Sequence, residues 1–184
     1  MKTLIIYSSQ TGFTERYASW LKETLDAECI SIKNAKSVDL SSYDKIVYGG
    51  WCCAGSINGL NSFIGKLAKV KEDIVANNKK IAIFGCGASP IENPEVKDAL
   101  EKISNLIETK LSKKFDNLGI FYCPGGFNYE KMNMGSKIAM KMFIKMLESN
   151  KNKTEKDEVM IKMISSSYDI SDKRHIEPIL EFVK

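Results

Sequence analysis

Near the start of the chain, seven residues read Ser8-Ser9-Gln10-Thr11-Gly12-Phe13-Thr14, with four hydroxyl side chains and one glycine among them. A short, branched apolar run precedes them, and a segment of helical apolar spacing follows at once. The first amides of a helix lack internal partners and carry part of the helix dipole, so a turn at this point is an anion site. Gly12 tolerates positive φ and lets the backbone approach an anion closely. Ser9, Thr11 and Thr14 add neutral donors. Residues 3–21 contain no lysine, and Arg16 is their only basic residue. That chemistry suits a phosphate monoester held by neutral dipoles. A triphosphate loop would need G-x-x-x-x-G-K-[ST], which is absent. The plainer alternative is that Thr14 caps a helix and the other hydroxyls decorate a turn.

The elements that position this turn alternate in type. Strand patterns cover 3–8, 28–33, 45–50, 79–87 and 118–123. Helical patterns cover 14–26, where Tyr17, Leu21 and Leu25 share a stripe, then 58–70 and 94–112, with Pro94 in a first turn. Asp172 can cap a last helix. This order predicts an α/β fold: a three-layer, doubly wound, five-stranded parallel sheet with strand order 2-1-3-4-5. Such sheets bind ligands beyond the carboxyl ends of their strands. Here that edge is made by loops 8–14, 50–58 and 86–94. The 184 residues are expected to form one domain, including a helical insert at about 124–171. No apolar run approaches a membrane span of ~18 residues, and the first one is too short for a signal-peptide core. A cytoplasmic protein is expected.

The second edge loop reads Gly50-Trp51-Cys52-Cys53-Ala54-Gly55-Ser56, and the third reads Cys86-Gly87-Ala88-Ser89-Pro90. Gly85-Cys86-Gly87 starts like a dinucleotide fingerprint, but Pro90 stands where its third glycine belongs, and it follows the fourth strand rather than the first. A phosphatase of this winding would need a cysteine in the first loop, and a phospho-receiver an aspartate pocket; neither is present. The five cysteines show no metal-ligand spacing and are expected to be reduced thiols, so no metal is expected. Cys52, Cys53 and Cys86 could pack or could do redox chemistry. Packing is the commoner fate of small apolar thiols. The one histidine, His175, lies far along the chain from these loops, and no acid–base constellation accompanies it. The net charge of +4 is mild and gives no reason to expect nucleic acid.

On these residues the chain resembles the flavodoxins. Ser9, Thr11, Gly12 and Thr14 fall on the [TS]-x-T-G-x-T pattern of the flavodoxin FMN-phosphate loop. The strand-and-loop order fits over 1–123 and again at 172–184. Within that superfamily the chain looks most like the flavodoxin-domain group that includes menaquinone-dependent protoporphyrinogen oxidase. The features that carry this are "YDKIVYGG" before the second loop and a Lys- and Met-rich segment after the fifth strand. The resemblance implies FMN as cofactor, with Ser9, Gln10, Thr11, Gly12, Phe13 and Thr14 at its phosphate. Gly50, Trp51, Cys52, Cys53, Ala54, Gly55, Cys86, Gly87, Ala88 and Ser89 would then lie about its ring. Trp51 would stack on the flavin or else pack, and Gly50 or Gly55 would let a carbonyl turn toward the reduced ring. The third loop lacks the aromatic many flavodoxins carry there. A bound flavin brings its own redox chemistry, so the missing acid–base machinery favours electron transfer. The partner would be a redox protein or a small-molecule acceptor. The alternatives are an FMN-dependent oxidoreductase of a quinone or porphyrinogen-like substrate, and a binding module without flavin redox.

Residues 124–171 exceed an ordinary connection. A helix is expected over about 134–149, with Ala139, Met142, Phe143, Met146 and Leu147 on one stripe. Lys137, Lys141 and Lys145 repeat on another, beside Met140 and Ile144. Thr154 and Asp157 form a capping-box pattern. Residues 130–156 hold seven lysines and three glutamates, and 132–163 hold seven of the eight methionines. Flavodoxin shuttles are typically acidic, and this segment departs from that. It reads either as a cap with a methionine-filled core or as a docking face, including weak contact with a membrane surface.

Overall fold

The computed structural model describes residues 1–53, 55–112 and 116–184. The first half runs β1 (Thr3–Ser8), α1 (Phe13–Leu25), β2 (Glu28–Ser31), β3 (Lys45–Cys53), β4 (Ser56–Ile57), α2 (Leu60–Lys69) and α3 (Lys71–Ala76). The second runs β5 (Lys80–Gly87), α4 (Pro94–Leu111), β6 (Leu118–Pro124), β7 (Gly126–Phe127), α5 (Met134–Ser149), α6 (Glu155–Ile164), β8 (Tyr168–Asp169) and α7 (Glu177–Val183). The main sheet is ordered β2-β1-β3-β5-β6, all parallel. Counting only these five strands, this is the expected 2-1-3-4-5 winding.

Side-chain alternation explains the three layers. Leu4 and Ile6 of β1, Ile46 and Tyr48 of β3, and Ile81 and Ile83 of β5 point to one face. There they meet Leu60, Phe63 and Leu67 of α2 and Ile103 and Ile107 of α4. The intervening Ile5, Val47, Ala82 and Phe84 point to the other face, against Tyr17 and Leu21 of α1 and Ile179 and Val183 of α7. Both faces are therefore covered, and the carboxyl ends of the strands form the free edge.

Four features differ from the sequence expectation. β3 runs on to Cys53 and folds back through β4, pairing Cys52 with Ile57, so loop 50–58 is a hairpin. Its apolar residues stay in the ladder because Trp51 still registers with Cys86 of β5. α3 is an additional short helix. β7 and β8 form a small antiparallel pair that closes the insert onto the sheet edge. Finally, α5 presents a different face. Of the two readings of its stripe, a methionine-filled core does not describe Met142 and Met146, which are 68% and 60% exposed. Met140 and Ile144, expected beside the lysines, are the half-buried ones. The helix is apolar on several sides, so its pattern alone does not choose a face. The Thr154–Asp157 capping box forms as expected, and Asp172 caps a 3₁₀ turn over Lys173–Ile176.

Candidate functional site

The turn between β1 and α1 is built by Gly12, which is the N-cap of α1 at φ 99°, a left-handed conformation. No side chain caps this helix, so Thr14 is not its cap and the first amides face outward. Ser9 Oγ accepts from the Gly12 amide at 3.1 Å, which folds the loop on itself. Ser8 Oγ donates to Asn58 Oδ1 at 2.7 Å and ties this loop to the β3–β4 hairpin. Thr14 is buried and, with Cys86, lines the cavity described below.

Tyrosines from late in the chain fix the third loop. Tyr122 Oη donates to the Ser89 carbonyl at 2.7 Å, and Tyr168 Oη to the Ala88 carbonyl at 2.7 Å. The Gly125 amide donates to the Gly87 carbonyl at 2.7 Å. In the hairpin, a Cβ on Gly50 would lie 2.5 Å from the Asn58 carbonyl oxygen, so Gly50 serves close packing. Gly55, at φ 77° with open space around it, is the freer of the two. Ala54 lies outside the described residues.

These loops enclose a cavity of about 290 Å³ at the carboxyl edge of the sheet. Of the sequence-nominated residues, Gln10, Thr11, Phe13, Thr14, Trp51, Cys52, Cys53, Cys86, Gly87 and Ala88 line it. Ser9, Gly12, Gly50, Gly55 and Ser89 do not. Gly12 borders an outer groove that shares Thr11 and Phe13 with the cavity, and Ser89 faces a crevice against α4. The sequence reading missed the roof: Phe127 of β7, Met132, and Ser136, Ala139 and Met140 of α5. Phe127 supplies the aromatic absent from the third loop and is held by a stack on Tyr129, with centroids 6.0 Å apart. Its signal was its place, directly after the fifth strand at the ligand-binding edge. Gln10 Nε2 donates to Ser136 Oγ at 3.1 Å and latches α5 to the first loop.

Burial pushes the Cys52 thiol up to about 12. It also pushes Cys86 up to about 12, outweighing the opposing pull of Thr14. Cys123 is driven up as well, again by burial. The thiolate is the reactive form of cysteine, and these three are held as neutral thiols. Cys53 is the exposed one. The lining is thus mostly apolar and uncharged, and the polar groups gather at the end formed by α1.

A doubly wound sheet with a hydroxyl-rich turn at its first helix and a ring-sized cavity at its carboxyl edge defines a flavodoxin-like protein. The chain matches the flavodoxin domain family over residues 4–155 and belongs to it. It is 31% identical over 157 residues to the flavodoxin-like domain-containing protein BilS of Clostridioides difficile, covering 83% of this chain and 79% of that protein. Among solved structures it is similar to the Trp repressor binding protein from Bacillus subtilis, with 17% identity, a TM-score of 0.51, and coverage of 71% of this chain and 88% of that one. At that identity the likeness shows the fold alone.

Proposed function

We propose that this chain binds FMN and serves in electron transfer. One observation carries the reading: the apolar cavity opens, through Thr11 and Phe13, onto the uncapped amides of α1. An apolar ring bearing a phosphate tail needs that juxtaposition. The amides after Gly12, with Thr11, would hold the phosphate. Trp51 and Phe127 offer aromatic faces to the ring. Met132 and Met140 exclude water from above. Bound FMN supplies the one- and two-electron chemistry, and the chain tunes it. A spectrum of the purified protein with and without added FMN tests this. A flavin band that shifts and saturates at one equivalent is expected; FMN that stays spectrally free refutes the reading.

The second reading is an oxidoreductase of a quinone or porphyrinogen-like substrate, as in the group the sequence resembles. The apolar roof supplied by Met132, Ala139 and Met140 favours it, since such a roof suits an apolar acceptor. Steady-state turnover with a quinone separates enzyme from carrier. For partners, the reading places weak contact with an anionic membrane on the outer face of α5. Met134, Ile138, Met142 and Met146 are exposed there, with exposed Lys141 and Lys145 among them. Basic residues around apolar ones suit an anionic interface. Salt-sensitive cosedimentation with phosphatidylglycerol vesicles and none with phosphatidylcholine is the expected result.

A further inference from the structure

The first loop carries no lysine, yet a lysine reaches it from elsewhere. Lys131 Nζ lies 3.7 Å from the point a Cβ on Gly12 would occupy, at the mouth of the groove formed by Thr11, Gly12 and Phe13. Its backbone is held in place: the Lys131 amide donates to Asn128 Oδ1 at 3.0 Å and the Met132 amide to the Asn128 carbonyl at 3.1 Å. The other cation of the groove is already committed. Arg16 donates to Asp169 and to Ser171, each at 2.5 Å. Glu15 accepts from the Tyr7 hydroxyl at 2.8 Å. Among the described residues, Lys131 has no carboxylate within salt-bridge distance.

Resting on the FMN reading above, we propose that Lys131 is the cationic ligand of the cofactor phosphate and that it ties the insert to cofactor binding. A phosphate monoester carries about −1.5 to −2 charges at neutral pH. The end of a helix offers the equivalent of roughly half a positive charge, so neutral donors leave most of that charge unmatched. One ammonium over the glycine of the loop supplies a full charge, and the 118 residues between Gly12 and Lys131 explain why the loop sequence hides it. Cofactor binding then also fastens the turn that leads into α5.

The test titrates FMN and riboflavin into the wild type, Lys131→Met and Lys131→Arg by flavin fluorescence, at low and high salt. Lys131→Met is expected to weaken FMN about tenfold, the scale of one charged hydrogen bond at an open site. Riboflavin affinity should be unchanged, Lys131→Arg should restore FMN binding, and the salt dependence should shrink in Lys131→Met. FMN should also slow hydrogen exchange over 134–149 in the wild type more than riboflavin does. Unchanged FMN affinity in Lys131→Met overturns the proposal, as does an equal loss of both flavins, which marks a structural lysine. Equal protection of 134–149 by both flavins overturns the tie to the insert. A wild type that binds neither flavin overturns the cofactor reading itself.

Discussion

Replacing Tyr17 with Phe deletes one oxygen from the joint on which the cofactor cavity depends. The Tyr17 ring is fully buried, edge-on to Trp20 with centroids 5.1 Å apart. Its hydroxyl donates to the Pro124 carbonyl at 2.5 Å and accepts from the Asp172 amide at 3.1 Å. Burial pushes this phenol well above its ordinary range, so it stays a donor at any working pH. The substitution keeps the ring and its packing but leaves one carbonyl and one amide without partners. At about 1–1.5 kcal/mol each, the loss is roughly 2–3 kcal/mol. For a chain of this size, 1 kcal/mol moves Tm by about 2–4 °C, so a fall of roughly 4–12 °C is expected. Pro124 leads into Gly126 and Phe127 of the roof, and the Ile170 amide bonds the Gly125 carbonyl at 2.8 Å. FMN and riboflavin should therefore weaken together, unlike in Lys131→Met. Thermal melts by circular dichroism and paired flavin titrations measure both effects. A Tm equal to that of the wild type would show that water satisfies both partners, and the reasoning would fail.

Two further outcomes are expected. FMN should quench tryptophan fluorescence, and Trp51→Ala should lose most of that quenching, with Trp20 of α1, which does not line the cavity, as internal control; quenching that survives assigns Trp51 to packing. Hydrogen bonds from Arg174 hold the Asp172 carboxyl near 2, below its ordinary 3.8. A depressed carboxyl stabilises the fold above its unfolded pKa and loses that contribution as pH falls from about 3.8 to about 2. Asp172→Asn should flatten the dependence of Tm on pH in that window, though not abolish it, because Asp39, Asp73, Asp157 and Asp169 are also held low. An unaltered acid profile would refute the assignment.

The winding was legible because parallel strands buried on both faces leave unbroken apolar runs such as Leu4-Ile5-Ile6, and the helices between them carry clean stripes. The first loop was legible because Gly12 and its hydroxyls answer to local backbone needs. What the sequence concealed depends on long-range pairing. The β3–β4 hairpin forms because Cys52 and Ile57 meet across a turn, and its apolar residues read equally as a flavin loop. Tyr122 and Tyr168 anchor Ser89 and Ala88 from 33 and 80 residues away, and no local pattern announces that. Phe127, from β7 paired with β8, lines the cavity, and Lys131 lines the outer groove, and neither place is written in the local sequence.

The insert shows why a helix can be legible while its orientation is not. α5 carries apolar side chains on two sides, and a moment drawn from the sequence weighs both without knowing what each one meets. Ser136, Ala139 and Met140, spaced at i, i+3 and i+4, roof the cavity because Gln10 latches Ser136 and Asn133 caps the helix start, its side chain accepting from the Ser136 amide at 2.8 Å. Outside that face, Met134, Ile138, Met142 and Met146 follow one another at spacing i+4 and are 70%, 54%, 68% and 60% exposed. No packing is left to account for four exposed long apolar side chains in register, whereas scattered single ones would need no account. One helix thus roofs the cavity with Ser136, Ala139 and Met140 and carries exposed apolar side chains elsewhere on its surface. A partner that seats on those exposed side chains bears on the same helix that Gln10 latches to the first loop through Ser136. Cofactor binding and partner binding should therefore shift each other's affinity, and Gln10→Ala, which cuts the latch without touching the outer face, should weaken that coupling while leaving vesicle binding of the FMN-free protein unchanged.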